Sequence, residues 1–207
     1  HGRSGGDPIP DIPTMAEWLA RLCEQLELEN PLLVGHSMGS YVALEMADNH
    51  AVAGLVLLGT SESMAVQADL QGAADEHVPR AVEFVVGWSH SGETRFGPRA
   101  EPGLWPMGMS SRLLESGLGV SLASDLRACS GYDPMPPASR VVCPVLVIVA
   151  SDDRMTAPAD GGRLAAAIAG AEVGIVDSGH MSILDSPREV ERMVSSWLAR
   201  TDGFSDR

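Results

Sequence analysis

The chain reads as an α/β protein: a mostly parallel sheet covered by helices on both faces. Three observations predict it. Short, unbroken apolar runs lie at 31–34, 52–58, 145–150 and 173–176; stretches of helical period separate or follow them; and Gly35, Gly59 and Gly179 sit just beyond the runs. A strand buried on both faces has no polar side with which to alternate, so continuous apolar runs point to a doubly covered sheet. Strand–helix alternation supplies the crossovers that parallel pairing needs.

In chain order, Met15, Trp18, Leu19, Leu22, Cys23 and Leu26 predict a helix over 14–26 with one buried face. Thr14 and Glu17 read as its capping box, with Pro13 barring backward extension. Pro31–Val34 predicts a strand ending at Gly35, and Met38–Ala47 a helix. Val52–Leu58 and the β-branched Val145–Ala150 predict two further strands, the second followed by a helix over Ala159–Ala169. Val173–Val176 is the fourth strand. The last helix opens at Ser186, with Pro187 in its first turn, Glu189 completing a capping box, and Val190, Met193, Val194, Trp197 and Leu198 as its buried stripe.

Residues 64–135 break this rhythm. They hold Phe84, Trp88, Phe96, Trp105, Met107 and Met109 among scattered Gly and Pro, with only short helical patterns, such as 80–88 and 121–129. The Pro-rich return Asp133–Pro137 leads back into the sheet. The expected organisation is therefore a core of 1–63 and 136–207, with 64–135 an inserted helical cap.

A formal charge of −14 over 207 residues disfavours nucleic acid and anionic membrane surfaces as partners, and suits a small uncharged or cationic substrate. Cys23, Cys129 and Cys143 follow no metal-ligand spacing and predict free thiols in a reducing, cytoplasmic setting. No apolar run approaches the roughly 18 residues of a membrane span. No metal or organic cofactor is implied.

Gly-x-Ser-x-Gly occurs twice, as Gly2-Arg3-Ser4-Gly5-Gly6 and Gly35-His36-Ser37-Met38-Gly39. A nucleophile held on a sharp strand-to-helix turn needs a strand before it and a helix after it. Ser37 has both, whereas Ser4 precedes Asp-Pro-Ile-Pro-Asp-Ile-Pro, which excludes a helix. Gly35 and Gly39 are expected to relieve crowding between that strand and helix. The Met38 N–H, at a helix N-terminus, is the candidate oxyanion donor. His36 neighbours Ser37 on an extended strand and should point to the opposite face, as a packing residue.

A serine hydroxyl needs a base, and the base a carboxylate that fixes its tautomer. His180 follows the strand 173–176 and so falls on the same sheet edge as Ser37; His1, His50, His77 and His90 do not. The strand 145–150 delivers Asp152 and Asp153, either of which could orient the imidazole, with Glu62 a third candidate.

Together these residues give the chain a resemblance to the α/β-hydrolase superfamily. Gly35-His-Ser-Met-Gly39 is similar to its elbow, Ala150-Ser-Asp-Asp153 followed by Pro158 to its acid loop with Ala in place of Gly, and Gly179-His180 to its C-terminal histidine. The resemblance implies a Ser37–His180–Asp153 triad acting on a carboxylic ester through an acyl-enzyme. Enol-lactone or C–C hydrolysis, perhydrolysis, acyl transfer, and a non-catalytic ligand-binding role are alternatives on the same fold. An aspartate nucleophile, as in dehalogenases and epoxide hydrolases, is not matched. Trp88, Trp105, Met107 and Met109 are candidates for an acyl pocket or for the core of the cap.

His1-Gly2-Arg3-Ser4 resembles the end of the family's loop after its fourth strand. On that alignment the four strands are numbers five to eight of an eight-stranded sheet, and the first of them is a bare edge. The second oxyanion donor then lies upstream of residue 1. Loss of one such donor typically costs about 10²–10³ in turnover, so low activity is expected of this chain alone.

Overall fold

The computed structural model describes residues 5–96, 105–117 and 121–201. His1, Ser4 and the start of its Gly-x-Ser-x-Gly string, and parts of the 64–135 segment lie outside them. Four strands, β1 (Leu32–His36), β2 (Gly54–Leu58), β3 (Val145–Ala150) and β4 (Glu172–Val176), form one parallel sheet in the order β1-β2-β3-β4. The α/β expectation holds, and each strand lies within two residues of its predicted bounds.

Side chains alternate across the sheet and feed two cores. Leu33, Leu55, Leu57, Val145, Val147 and Val149 pack beneath α1 (Ile12–Gln25), α2 (Met38–Asn49) and α9 (Pro158–Ala167). Val56, Leu58, Leu146, Ile148, Ala150 and Val176 pack against Val190 and Trp197 of α11 (Pro187–Arg200). Every residue of β2 and β3 is buried, which is why those strands read as unbroken apolar runs. The outer strands differ. Val34 of β1 and Val173 and Ile175 of β4 are exposed, and among the described residues β1 pairs with β2 alone.

Two helix starts depart from expectation. Helix α1 begins at Ile12, capped by Asp11, whose carboxylate accepts the Thr14 N–H at 2.8 Å. Pro13 sits inside the first turn, where its missing N–H leaves no bond unmade. The face rotates accordingly: Ile12, Met15, Ala16, Ala20 and Cys23 are buried, while Trp18 and Leu26 are exposed. In α11, Ser186 makes no capping bond, because its hydroxyl donates to the Asp177 carbonyl at 2.9 Å instead. Its predicted stripe is otherwise the buried one.

The 64–135 segment is more helical than its pattern suggests, with α3 (Ala68–Glu76), α4 (Val78–Ser89), α5 (Gly92–Phe96), α6 (Pro106–Gly117) and α7 (Leu122–Ser130). Small residues such as Ala73, Ala74 and Ala81 form much of its core, a weak signal for a hydrophobic period. Helix α8 (Met135–Arg140) returns the chain to β3, and α10 (Ser182–Asp185) precedes α11. Cys23 and Cys129 are buried and Cys143 half-buried, all as free thiols. Among the described residues no helix is long and apolar enough to cross a membrane.

Candidate active site

In a parallel sheet all strands end on one edge, and loops leaving that edge can converge. Here β1 delivers Ser37, β2 Gly59 and Thr60, β3 Asp153, and β4 His180.

Ser37 caps the N-terminus of α2 with φ +53° and ψ −125°, a conformation that an L-residue adopts only when its surroundings impose it. Three bonds impose it. Its N–H donates to Leu58 O at 2.9 Å, and its carbonyl accepts from the Ser40 N–H at 2.8 Å and the Ser40 hydroxyl at 2.6 Å. Ser40 is in turn hydrogen-bonded to Thr60 Oγ1 at 2.9 Å. Gly35 is required by contact, since a Cβ there would lie 2.4 Å from Gly39 O and 2.7 Å from Ser40 Cα. Gly39 is not, because a Cβ built on it meets nothing within 4 Å. Of the two expected crowding glycines, only the first is crowded: Gly35 faces the helix backbone and Gly39 faces away. Met38 opens α2, so its N–H has no acceptor within the helix.

His180 and Asp153 form a buried pair, with Nδ1 to Oδ2 at 2.8 Å. Asp153 Oδ1 accepts the N–H groups of Met155 and Thr156, each at 2.8 Å, and Oδ2 accepts the Thr156 hydroxyl at 2.8 Å. Burial pushes this carboxyl up, but the hydrogen bond and charge of His180, with the Thr156 donors, outweigh it and hold Asp153 below the usual carboxylate range. The carboxylate therefore accepts, Nδ1 carries the proton, and Nε2 is left as the basic nitrogen.

The imidazole lies against Gly59, which has φ +55° and where a Cβ would fall 2.9 Å from His180 Cε1. Ser37 bonds the residue just before that glycine, so the strand bearing Ser37 and the His180 ring meet at the end of β2. Among the described residues no hydrogen bond closes between the Ser37 hydroxyl and His180, a link often long before substrate binds.

His36 is the packing residue expected, and also more. Its Nε2–H donates to the His180 carbonyl at 2.9 Å, and the two rings lie 4.8 Å apart. Burial, then the charge of His180, lowers its pKa to about 4, so it stays neutral beside His180. Asp152 is not at the imidazole: Oδ2 accepts the Gly92 N–H at 3.2 Å and Oδ1 faces Arg154. Glu62 pairs with Arg163.

The four pocket candidates have different surroundings. Trp88 stacks on Phe84 at 5.2 Å and packs into the α3–α4–α7 cluster. Trp105 is largely exposed and covers Gly108, and Met109 borders an open depression with Arg112, Leu113 and Ser116. Met107 is half-buried on α6.

Sequence reasoning missed two features. Thr156 follows Asp153 by three residues, a spacing at which an Asp side chain commonly captures the next backbone N–H groups, so that signal was present. His90, placed in the cap with no role, is wholly buried and bonded to Asp185 and Ser110; nothing in the local sequence reveals contacts across 95 and 20 positions.

A model of the alpha/beta hydrolase family matches residues 1–193. Among solved structures, the enol-lactonase of Burkholderia xenovorans LB400 superposes with a TM-score of 0.86 at 23 % identity, over 97 % of this chain and 78 % of that one. A hydrolase from Pseudomonas aeruginosa PA01 gives 0.85 at 26 % identity, over 96 % and 76 %. A thermophilic esterase from Thermogutta terrifontis gives 0.81 at 24 %, also over 96 % and 76 %. No protein of the curated set matches. These likenesses give the fold as that of the α/β hydrolases, and with a family match over residues 1–193 the chain belongs to the alpha/beta hydrolase family.

Proposed function

We propose that the site hydrolyses a carboxylic ester, or a related acyl bond, of a small uncharged substrate through an acyl-enzyme on Ser37. One observation carries the reading: a serine in strained backbone at a helix N-terminus shares a sheet edge with a buried, carboxylate-bound histidine. In this mechanism Ser37 Oγ attacks the carbonyl carbon while His180 Nε2 takes its proton. The carbonyl oxygen becomes an oxyanion and accepts the Met38 N–H, an orphan donor aided by the dipole of α2. Collapse expels the alkoxide, which takes the proton from His180 and leaves Ser37 acylated. Water then attacks the ester, gives its proton to His180, and the sequence reverses to release the acid. Asp153 holds the imidazole in the tautomer that leaves Nε2 free, and neutral His36 adds no competing charge. The segment 64–135 acts as the cap over this edge.

Esterases and an enol-lactonase among the structural neighbours support acyl-bond hydrolysis as the class. The test is a fluorophosphonate, which phosphonylates only an activated serine, followed by peptide mapping, alongside p-nitrophenyl acetate turnover. Label on Ser37, lost in Ser37→Ala, is the expected result. A folded chain that neither labels nor turns over ester would replace this reading with a non-catalytic ligand-binding one.

A further inference from the structure

A second chain of the same chemical types lies beside the first. Ser110 Oγ is 2.9 Å from His90 Nε2, and His90 Nδ1 is 2.6 Å from Asp185 Oδ1. Ser110, His90 and the Asp185 side chain are all at least 95 % buried, so no substrate reaches Ser110 and this set is not a second nucleophile. What it touches is the loop carrying His180. Asp185 Oδ2 accepts the N–H of Gly179, the residue before His180, at 3.2 Å, and that of Ser91 at 3.0 Å. On the other side, the Met181 N–H donates to Ser89 O at 2.9 Å. A Cβ on Gly179 would fall 2.5 Å from Ser91 N and 2.7 Å from Ser89 O, so the loop lies flush on residues 89–91.

The backbone around His180 is thus pinned at three points: Gly179 N–H by Asp185, the His180 carbonyl by His36, and Met181 N–H by Ser89. Two of the three involve Asp185 or the end of α4. Asp185 can hold its points only as an acceptor, and it accepts from three donors at once.

We propose that Asp185 is a positioning residue for His180, and that His90 and Ser110, bonded behind it, make the setting of the base depend on how α4 and α6 are seated. The inference rests on His180 being the base, and it names a residue that acts through another and touches no substrate. An error of about 1 Å in a catalytic group can cost on the order of 10²-fold in rate.

The test compares the chain with Asp185→Asn, in which an NH₂ must face either His90 Nδ1–H or the two backbone donors. The direct readout is the His180 Nδ1–H signal in the ¹H–¹⁵N imidazole spectrum, which reports the Asp153 bond whether or not turnover occurs. In Asp185→Asn it should broaden or move, and kcat for p-nitrophenyl acetate should fall on the order of 10²-fold with KM within about twofold. His90→Asn, whose amide can still donate to Asp185 Oδ1, should keep the signal. His90→Leu should lose it, and serves if Asp185→Asn does not fold. An unchanged His180 signal in a folded Asp185→Asn or His90→Leu protein overturns the proposal. Fluorophosphonate labelling of the unmodified chain judges the triad separately: a responsive ring signal without labelling would sink the catalytic reading and leave Asp185 as the positioning residue.

Discussion

Replacing His36 with Gln should flatten the acid limb of the stability profile. In the folded protein burial, then the charge of His180, lowers the His36 pKa from 6.5 to about 4. The unfolded chain binds a proton near pH 6.5 while the folded chain resists it until about pH 4. Where the unfolded state binds more protons, stability rises with pH, so this group's contribution is whole above pH 6.5 and is lost as pH falls to about 4. One proton is worth about 1.4 kcal/mol per pH unit, which over that interval amounts to roughly 3 kcal/mol. Asp153 and Asp185 act later. Each lies below its ordinary 3.8, so its contribution is present above that value and lost as pH falls through the lowered one. Gln retains an N–H for the His180 carbonyl without a titrating ring, and the remaining histidines are common to both proteins. Urea unfolding at half-unit steps from pH 7 to 4 should therefore show the parent losing about 3 kcal/mol more than His36→Gln. Parallel curves would refute a neutral, buried His36.

The two elbow glycines should separate cleanly. Gly35→Ala drives a Cβ into main chain and should cost about 3 kcal/mol or more, whereas Gly39→Ala, with open space and better helix propensity, should stay within about 1 kcal/mol by thermal unfolding. Asp153→Asn should lower p-nitrophenyl acetate turnover on the order of 10⁴-fold by presenting the wrong partner to Nδ1, while Asp152→Asn should change it less than about twofold; the reverse order would exchange their roles. Trp197, 1 % exposed at the centre of the α11 face, should cost about 3–5 kcal/mol on truncation to Ala in denaturant titration, and a loss under 1 kcal/mol would mean that α11 does not seal that face.

How much of this was legible followed from burial. Strands β2 and β3 were plain because every residue is covered, and Ser37 and His180 stood out because each lies just past a strand end, whereas the strand end left Asp152 and Asp153 undivided and only the family resemblance chose Asp153. Helix α1 was placed two residues late because Thr14 and Asp11 are both competent caps, and only packing of Ile12 decides between them. Helices α3 and α6 were missed because Ala, Gly and Ser on their faces give little periodic contrast. The Asp185–His90–Ser110 chain was invisible because hydrogen bonds between distant elements leave no local pattern, although each of its residues is an ordinary choice at its own position.

The three site residues are held by different parts of the chain. Ser37 is fixed within the sheet and α2, through Leu58, Ser40 and Gly35. Asp153 is fixed by its own loop, through Met155 and Thr156. The loop bearing His180 is tied to residues 89–91, at the end of α4, directly through Met181 and by way of Asp185, while the Asp153 loop meets the same stretch only through its neighbours, Met155 at Ser89 and Asp152 at the adjoining Gly92. In the proposed mechanism, a shift of α4–α6 to accommodate a larger acyl group would therefore leave Ser37 and the Met38 N–H in place and be felt at His180. Since His180 would serve both acylation and deacylation in that mechanism, such a shift would slow both steps together and leave the elbow's affinity for an oxyanion untouched.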